Sequence, residues 1–292
     1  MTAVPTPRGA RRTGEHPGWY RFRKNRPALI GLGLVLLIGL ATLLAPWIAP
    51  YPHQIGPFVN FSAANQPPSW AHLMGTDTAG RDVLTRVLFG YRTSFLLMLV
   101  VLGIGVPLGV LLGLAAGYFG GWTEAILMRL TDVFLALPPL AVVLAVTSAL
   151  APSLGTAMLA LAALWWTWYA RLVHGLVRSI KKEDFILAAR RSGASTGHIL
   201  FREILPNIIS TIAVKITLDA GFVILLGAGL SFLGLGARPP TPDLGTMVAD
   251  GANYLPEMWW EAIFPGFAIL VLILGFNLLG DGLRDYFDVE VL

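Results

Sequence analysis

Long apolar stretches, separated by short polar ones, dominate the pattern of this 292-residue chain. The first stretch is residues 28–47, and Pro27 can begin a helix there because an N–H in the first helical turn has no intrahelical partner. About 20 apolar residues suffice for one helix to cross a bilayer. Residues 51–91 are too polar to cross, and the next apolar stretch, residues 93–119, predicts a second span.

A long uncharged stretch follows. Residues 133–170 carry no charge, and about 38 residues are too many for one span but enough for two. The Ala-Pro-Ser-Leu-Gly sequence at 151–155 supplies the break between them. Pro138 and Pro139 fall inside the first of the two spans and predict a kink, because proline removes a helical hydrogen bond.

Two further apolar stretches near the C-terminus complete the set. The predicted spans are residues 28–47, 93–119, 126–150, 156–176, 207–233 and 262–279. Glycines spaced four residues apart in the second span predict the close approach of another helix: Gly105, Gly109 and Gly113. The chain is therefore predicted to be all-α, a polytopic membrane protein with about six transmembrane helices.

The composition supports this class. Hydrophobic residues make up 55% of the chain and charged residues 13%, with a mean hydropathy of +0.68, whereas soluble domains carry about 25% charged residues. The chain has no cysteine, which excludes a disulfide framework, a thiolate nucleophile and a cysteine metal site. The apolar run after the basic N-terminal stretch has spanning length, so that stretch is interpreted as a tail rather than a cleavable signal.

Basic residues collect in two segments. The N-terminal tail holds Arg8, Arg11, Arg12, Arg21, Arg23, Lys24 and Arg26, and the loop after the fourth span holds Arg178, Lys181, Lys182, Arg190, Arg191 and Arg202. Six spans place both segments and the C-terminus on one side, and an excess of Lys and Arg marks the cytoplasmic side. Both termini are therefore predicted to be cytoplasmic, and the basic pI of 9.6 is ascribed to this topology rather than to nucleic-acid binding.

The predicted organisation has four parts. Residues 1–26 form a cytoplasmic tail whose first half is predicted to be disordered because it is rich in Pro, Gly and Arg. Residues 27–91 contain the first span and an extracytoplasmic segment. Residues 92–283 form a five-helix core with a cytoplasmic loop at 178–206, and residues 284–292 form a second cytoplasmic tail.

The loop at 178–206 carries the most distinctive local pattern. It predicts a short helix, a glycine turn at Gly193 and a second helical piece that ends at Pro206, where the next span begins. Ala188 and Ala189 leave a small surface that another protein can approach. The physics of the loop leaves two interpretations open: a basic amphipathic helix lying on the lipid surface, or a docking helix for a cytosolic partner.

The same loop resembles the segment that binary ABC importers insert into their ATPase subunits. The matching residues are Ala188, Ala189, Gly193, Leu205 and Pro206, with the thirteen-residue step from Gly193 to Pro206 intact. The family pattern has a Glu where this chain has Leu187, and an Ile where it has Glu203. The resemblance implies that these six positions, 187–189, 193, 205 and 206, form an ATPase-coupling loop.

Two further stretches resemble the C-type permease subunit of the dipeptide/oligopeptide/nickel importer family. They are His-Leu-Met-Gly-Thr-Asp-Thr-Ala-Gly-Arg-Asp-Val-Leu at 72–84, and Pro-Gly-Phe at 265–267 with Phe-Asn-Leu-Leu-Gly-Asp-Gly-Leu-Arg-Asp at 276–285. The resemblance covers roughly residues 21–288 and implies a type I ABC importer permease fold in a prokaryotic cell membrane.

The resemblance also implies partners and a substrate class. The partners are a B-type permease subunit that forms a heterodimer with this chain, two ATPase subunits or one fused pair, and an extracytoplasmic solute-binding protein. ATP and Mg²⁺ bind in the ATPases, and this chain has no cofactor of its own. Peptides are the expected cargo, with nickel chelates or other small solutes as the alternative.

The remaining chemistry in the sequence is sparse. Lys215 and Asp219 share a helix face in the fifth span, and either neutralise each other or line a substrate path. The histidines lack metal-ligand spacing, and no Gly-x4-Gly-Lys-Ser/Thr loop is present. We expect a non-catalytic chain that is powered by a partner. A self-sufficient channel or carrier, or a membrane-embedded enzyme, remain alternatives of other classes.

Overall fold

The computed structural model describes residues 17–150 and 153–287. Its helices, in chain order, are α1 (Pro17–Lys24), α2 (Arg26–Ile48), α3 (Val83–Phe119), α4 (Gly121–Leu135), α5 (Pro139–Leu150), α6 (Leu154–Ile180), α7 (Asp184–Arg191), α8 (Thr196–His198), α9 (Leu205–Phe232), α10 (Leu244–Ala252) and α11 (Trp259–Phe287). A π-helical segment, Ile199–Ile204, joins α8 to α9. The described residues contain no β-strand, only an isolated bridge between Thr76 and Asp82.

The all-α membrane fold predicted from the sequence is confirmed. By length and composition, four continuous helical stretches can cross a membrane: α2, α3, α11 and the run from α8 through α9, residues 196–232. The pair α4 and α5 supplies a fifth if it counts as one broken span. At 27 residues α6 is also long enough, although its three tryptophans and Arg171 make it less apolar. The predictions for residues 1–16, 151–152 and 288–292 lie outside the described residues.

The directions of the helices follow from their contacts. Gly282 and Gly275 of α11 lie against Ala28 and Leu34 of α2, so α2 and α11 run antiparallel. The same part of α11 also contacts α9: Gly280 lies against Leu218, and Ile273 lies against Gly221. Residue numbers rise along α9 as they fall along α11, so α9 and α11 run antiparallel. Because α2 is also antiparallel to α11, α2 and α9 run in the same direction.

A second set of contacts orients α3 and α6. Gly105 packs against Trp165, and Gly117 packs against Val177, so these two helices run parallel. The intervening chain, α4 and α5, must therefore run back from the end of α3 to the start of α6. The spanning segments thus alternate in direction.

Both described chain ends lie together. The amide nitrogen Nδ2 of Asn25 donates to the Asp285 carboxylate at 2.7 Å, and Gly18 lies beside Tyr286. We call the end of the bundle that holds both chain ends the terminal end. The loop at 178–206 lies at the same end, because α6 ends there and α9 begins there. The other end, which holds the start of α3, is the opposite end.

Small residues explain why α3 and α6 form the closest helix pair. A Cβ atom added at Gly105 would lie 2.8 Å from Cβ of Trp165, and one added at Gly113 would lie 2.7 Å from Cβ of Val173. Real side chains do not approach so closely, so the helices contact through their backbones. This is the close packing that the glycine spacing predicted.

The helix of the second span begins ten residues before the predicted start of that span. α3 begins at Val83 rather than at residue 93, although its first turns carry two arginines. Asp82 explains the early start, because its carboxylate accepts the Thr85 backbone N–H at 2.7 Å and caps the helix. An arginine within this stretch is accommodated by backbone: Arg92 donates to the Thr42 carbonyl at 3.0 Å.

Two other elements differ from the expectation. The predicted third span, kinked at Pro138 and Pro139, is two helices bent by 81°, and carboxylates tie its first half to α6 through Glu124–His174 at 2.8 Å and an Asp132–Arg171 ion pair. Residues 234–261, which lie between the fifth and sixth predicted spans, contain α10, whose N-cap is Asp243.

Candidate functional site

Within the loop at 178–206, α7 and the turn before it are held against the bundle by a buried side chain and by contacts of two basic side chains. Ile186 of α7 has no exposed surface. The Lys181 ammonium donates to the Gly117 carbonyl at 2.6 Å, and the Arg190 guanidinium lies 5.3 Å from the centre of the Tyr118 ring. Because Gly117 and Tyr118 belong to the last turn of α3, a displacement of α7 acts directly on that helix.

The predicted coupling residues divide into an exposed pair and a supporting pair. Ala188 and Gly193 are exposed, whereas Leu187 and Ala189 are partly buried. Phe185, one turn before Ala188 on α7, is 42% exposed. The exposed face therefore presents an aromatic ring, a methyl group and bare backbone, which another protein can approach closely.

Gly193 ends α7 through its backbone conformation. Its φ is +80°, in the left-handed region that glycine adopts without strain. Its N–H donates to the Arg190 carbonyl and the Ala194 N–H donates to the Ala189 carbonyl, both at 3.1 Å, which together form a Schellman cap. Apart from its two neighbours in the chain, no described residue has an atom within 4 Å of the position that a Gly193 Cβ would take. The space beside Gly193 is thus open to a partner.

Leu205 and Pro206 do not end a helix, contrary to the expectation. The chain continues without a break through the π-helical segment into α9, and the Leu205 N–H donates to the Leu200 carbonyl. Pro206 has no N–H to donate within this continuous helix, and the π-helical turns lie immediately before it. π-Helical turns within α-helices are uncommon and often occur at functional sites.

A groove lies beside the exposed face of α7. It has a volume of about 360 Å³ and runs between the end of α6 and the start of α9. Its walls are Leu176, Ser179, Ile180, Glu183, Phe185, Asn207, Ile208 and Thr211. The groove and the exposed face of α7 together make a continuous surface at the terminal end.

The second predicted pair, Lys215 and Asp219, is brought together inside the bundle. The ammonium nitrogen lies 2.6 Å from a carboxylate oxygen of Asp219, and the Trp165 indole N–H donates to the same carboxylate at 3.2 Å. Asp219 is buried, whereas one third of the Lys215 side chain is exposed. Lys215 also lies 5.7 Å from the centre of the Tyr169 ring. The opposite charges of the pair balance each other, and only the Lys215 side chain is accessible.

The sequence did not indicate a charged cluster at the opposite end. Asp77 accepts from Arg81 Nε at 2.7 Å and lies 3.5 Å from Arg86 Nε. Asp250 of α10 and Glu261 of α11 line the same small cavity. Burial raises the pKa of Asp250 above its ordinary value, and the positive charges of Arg86 and Arg81 oppose this rise. Asp77 and Arg81 belong to the motif at 72–84, but Asp250 and Glu261 lie far along the chain from it, so no local pattern indicates the cluster.

Metal chemistry finds no support in the described part of the chain. Across residues 17–150 and 153–287, no three His, Asp or Glu side chains are grouped so that they could hold a metal ion. The His72 ring is 2.9 Å from the Asp82 carboxylate, which links the segment at 51–82 to the start of α3.

Two family models match two separate parts of the chain. Residues 105–291 match the model described as binding-protein-dependent transport system inner membrane component. Residues 18–68 match the model of the N-terminal TM domain of oligopeptide transport permease C. The first match includes the loop at 178–206 and the Lys215–Asp219 pair.

Curated relatives align over almost their full length. The chain is 40% identical over 280 residues to the dipeptide transport system permease protein DppC of Haemophilus influenzae, covering 94% of each protein. It is 41% identical over 255 residues to the probable D,D-dipeptide transport system permease protein DdpC of Escherichia coli K12, covering 87% of this chain and 85% of that protein. It is 39% identical over 280 residues to the glutathione transport system permease protein GsiD of Escherichia coli O6, covering 96% and 92%.

Proposed function

Because the chain belongs to the family of binding-protein-dependent transport system inner membrane components, we propose that it imports dipeptides or short oligopeptides as one of two permease subunits powered by ATPases. The names of similar proteins support the peptide substrate. A B-type permease completes the path, two ATPase subunits or a fused pair supply the energy, and a solute-binding protein delivers the cargo.

The observation that carries this proposal is the exposed face of α7. Ala188 and Gly193 are exposed, Phe185 lines the groove, and Ile186 and the contacts to the last turn of α3 attach α7 to the bundle. A partner that binds this face can therefore move α3 through these contacts. The alternative, a helix that lies on lipid, makes no use of the open space at Gly193.

The mechanism is a two-state switch biased from a distance. ATP closes the ATPase pair, and the ATPase bound to α7 then moves the terminal end of the helices. This movement opens the path to the outside. The binding protein then releases its peptide, and hydrolysis restores the first state. Such a switch requires only that ATP-bound and ATP-free partners favour different arrangements of the helices.

The proposal places the terminal end in the cytoplasm. Basic residues are concentrated there, in α1 and in the loop at 178–206, and cytoplasmic segments carry such an excess. ATP is available on that side. The opposite end, with residues 51–82 and α10, then faces the binding protein.

Lys215 and Asp219 are assigned a structural role within this proposal. Their short ion pair and the Trp165 hydrogen bond satisfy the buried carboxylate. A path-lining role would need Lys215 to meet the peptide through its exposed third, and the variants described in the Discussion distinguish the two.

Purification of the tagged full chain in mild detergent, with partners identified by mass spectrometry, tests the assembly. We expect a second permease and one or two ATPases in near-equal amounts, together with a binding protein that retains peptide. Recovery of a stable chain without any ATPase would contradict the proposal. A binding protein that carries nickel or another small solute would contradict the peptide assignment alone.

A further inference from the structure

Helix α1 and the first residue of α2 form a surface that the proposed coupling mechanism does not use. Four basic side chains are exposed within six positions: Arg21, Arg23, Lys24 and Arg26. Trp19 and Tyr20, on the same short helix, are about half exposed. We call this surface, residues 19–26, the basic–aromatic patch.

A buried anchor fixes the patch on the bundle. Phe22 is buried, and its ring meets the edge of the Tyr286 ring with centroids 6.4 Å apart. Asn25 accepts the Ala28 N–H at 3.1 Å and donates to Asp285 at 2.7 Å. The bend between α1 and α2 is therefore tied to both α2 and α11, which fixes the side on which the basic residues project.

The patch contains a cavity of headgroup size. Its volume is about 360 Å³, and Tyr20, Arg21, Lys24 and Asp285 line it. The Lys24 ammonium lies 4.3 Å from the centre of the Tyr20 ring. Among the described residues, the lining thus places a guanidinium and an ammonium group beside an aromatic ring and one carboxylate, that of Asp285.

The position of the patch along α2 determines what it meets. α2 has 23 residues, enough to cross the hydrocarbon core, so its first turn lies at the level of the lipid headgroups. Half-exposed Trp and Tyr rings favour that interface. Clusters of basic residues next to a spanning helix attract anionic lipids.

We propose that the basic–aromatic patch binds the headgroups of anionic phospholipids in the leaflet around the first turn of α2. The proposal requires only that α2 spans the membrane. Its test is therefore independent of the proposed importer function. An ATPase subunit is the competing occupant. The interfacial aromatic side chains and the continuity with a spanning helix favour lipid.

The test uses the full chain with its co-purifying partners in nanodiscs that contain phosphatidylcholine and a minor fraction of phosphatidylglycerol. Native mass spectrometry counts the phosphatidylglycerol retained after partial delipidation. The variant removes three charges by Arg21→Gln, Arg23→Gln and Lys24→Gln. The matched control removes three charges from the same end, at exposed side chains, by Lys182→Gln, Arg191→Gln and Arg202→Gln.

Each basic residue near an anionic surface raises the binding constant about fivefold. We therefore expect the amount of phosphatidylglycerol retained by the patch variant to fall by at least about tenfold. The control should retain it, and so should the charge-preserving pair Arg21→Lys and Arg23→Lys. Because all these side chains are exposed, the variants should elute and unfold like the parent chain.

Three results would overturn the proposal. Equal loss in the patch variant and the control would mean that only the net charge of the terminal end matters. Unchanged retention in the patch variant would exclude a lipid site there. Loss of an ATPase subunit from the patch variant, with phosphatidylglycerol retained, would assign the surface to a protein contact.

Discussion

Gly193 combines a left-handed backbone with open space on its side-chain side. The first property ends α7, and the second leaves room for a partner. A substitution at this position therefore has two separable effects, backbone strain and steric bulk. Asparagine tolerates the left-handed conformation better than other residues with a Cβ, so comparing Gly193→Asn with Gly193→Trp separates strain from bulk.

We expect Gly193→Trp to reduce ATP-driven peptide uptake in proteoliposomes by at least about tenfold, while Gly193→Asn retains most of it. The strain at a positive φ costs about 1–2 kcal/mol with Trp and less with Asn, and only the indole also fills the partner's space. Gly175→Trp, at another exposed glycine with no atom within 4 Å of its Cβ position, controls for bulk at the terminal end. Normal uptake by Gly193→Trp would refute docking at this face.

Lys215 and Asp219 make a second test at this scale. Asp219→Ala leaves an unpaired ammonium next to Trp165 and Tyr169, and we expect a loss of about 3–5 kcal/mol in stability. The double variant Lys215→Met with Asp219→Asn removes both charges and should stay within about 1 kcal/mol of the parent chain. Thermal unfolding in detergent measures both.

Uptake by the double variant decides the role of the pair. A structural pair predicts uptake within about twofold of the parent chain. A stable double variant that has lost peptide uptake would instead assign Lys215 to the substrate path.

The sequence identified these individual residues but not all of their surroundings. Lys215 and Asp219 are four apart, and helical periodicity alone predicts their contact. The third partner, Trp165, lies 54 positions away, and its hydrogen bond depends on how α6 packs against α9. Glu261 and Asp250 went unnoticed for the same reason, since their neighbours Asp77 and Arg86 are distant in the chain.

Helix packing at the element scale depends on small residues between α3 and α6. The backbone of α6 lies so close that Gly109 has no room for a side chain, whereas Gly103, on the same helix, has nothing within 4 Å of its Cβ position. The two glycines are thus a matched pair for testing whether the close contact stabilises the bundle.

We expect Gly109→Leu to destabilise the chain by about 3 kcal/mol or more, because the helices must separate to admit the side chain. Gly103→Leu should change stability by less than about 1 kcal/mol. The apparent unfolding temperature in detergent, followed by tryptophan fluorescence, measures both. Similar losses for the two variants would contradict the packing of α3 against α6.

Elements with a strong apolar signal were predicted well, and the others were not. The cores of α2, α9 and α11 follow from their hydropathy alone. The early start of α3 was missed because its first turns are polar and depend on the cap from Asp82. The break between α4 and α5 was predicted only as a kink, since a proline pair marks a bend but not its angle of 81°.

At the scale of the whole molecule, the account depends on which end meets which partner. The contacts among α2, α3, α6, α9 and α11 place both described chain ends and the loop at 178–206 at one end. Residues 51–82 and α10 lie at the other. The side of the membrane to which each end belongs is a property of the assembly, which a labelling experiment can determine directly.

The absence of cysteine from the chain makes any introduced cysteine unique. Ala188→Cys places one on the exposed face of α7, and Trp70→Cys places one on a side chain that is 98% exposed in the segment at the opposite end. Each cysteine would carry a photo-crosslinker in membranes that contain the complete assembly.

Crosslinking from position 188 is the most direct measurement of the central claim, that α7 docks an ATPase. We predict that the label at 188 crosslinks to an ATPase subunit from the cytoplasmic side, and that the label at 70 does not. Crosslinks from 188 to lipid alone, or an ATPase crosslink from position 70, would contradict the coupling mechanism.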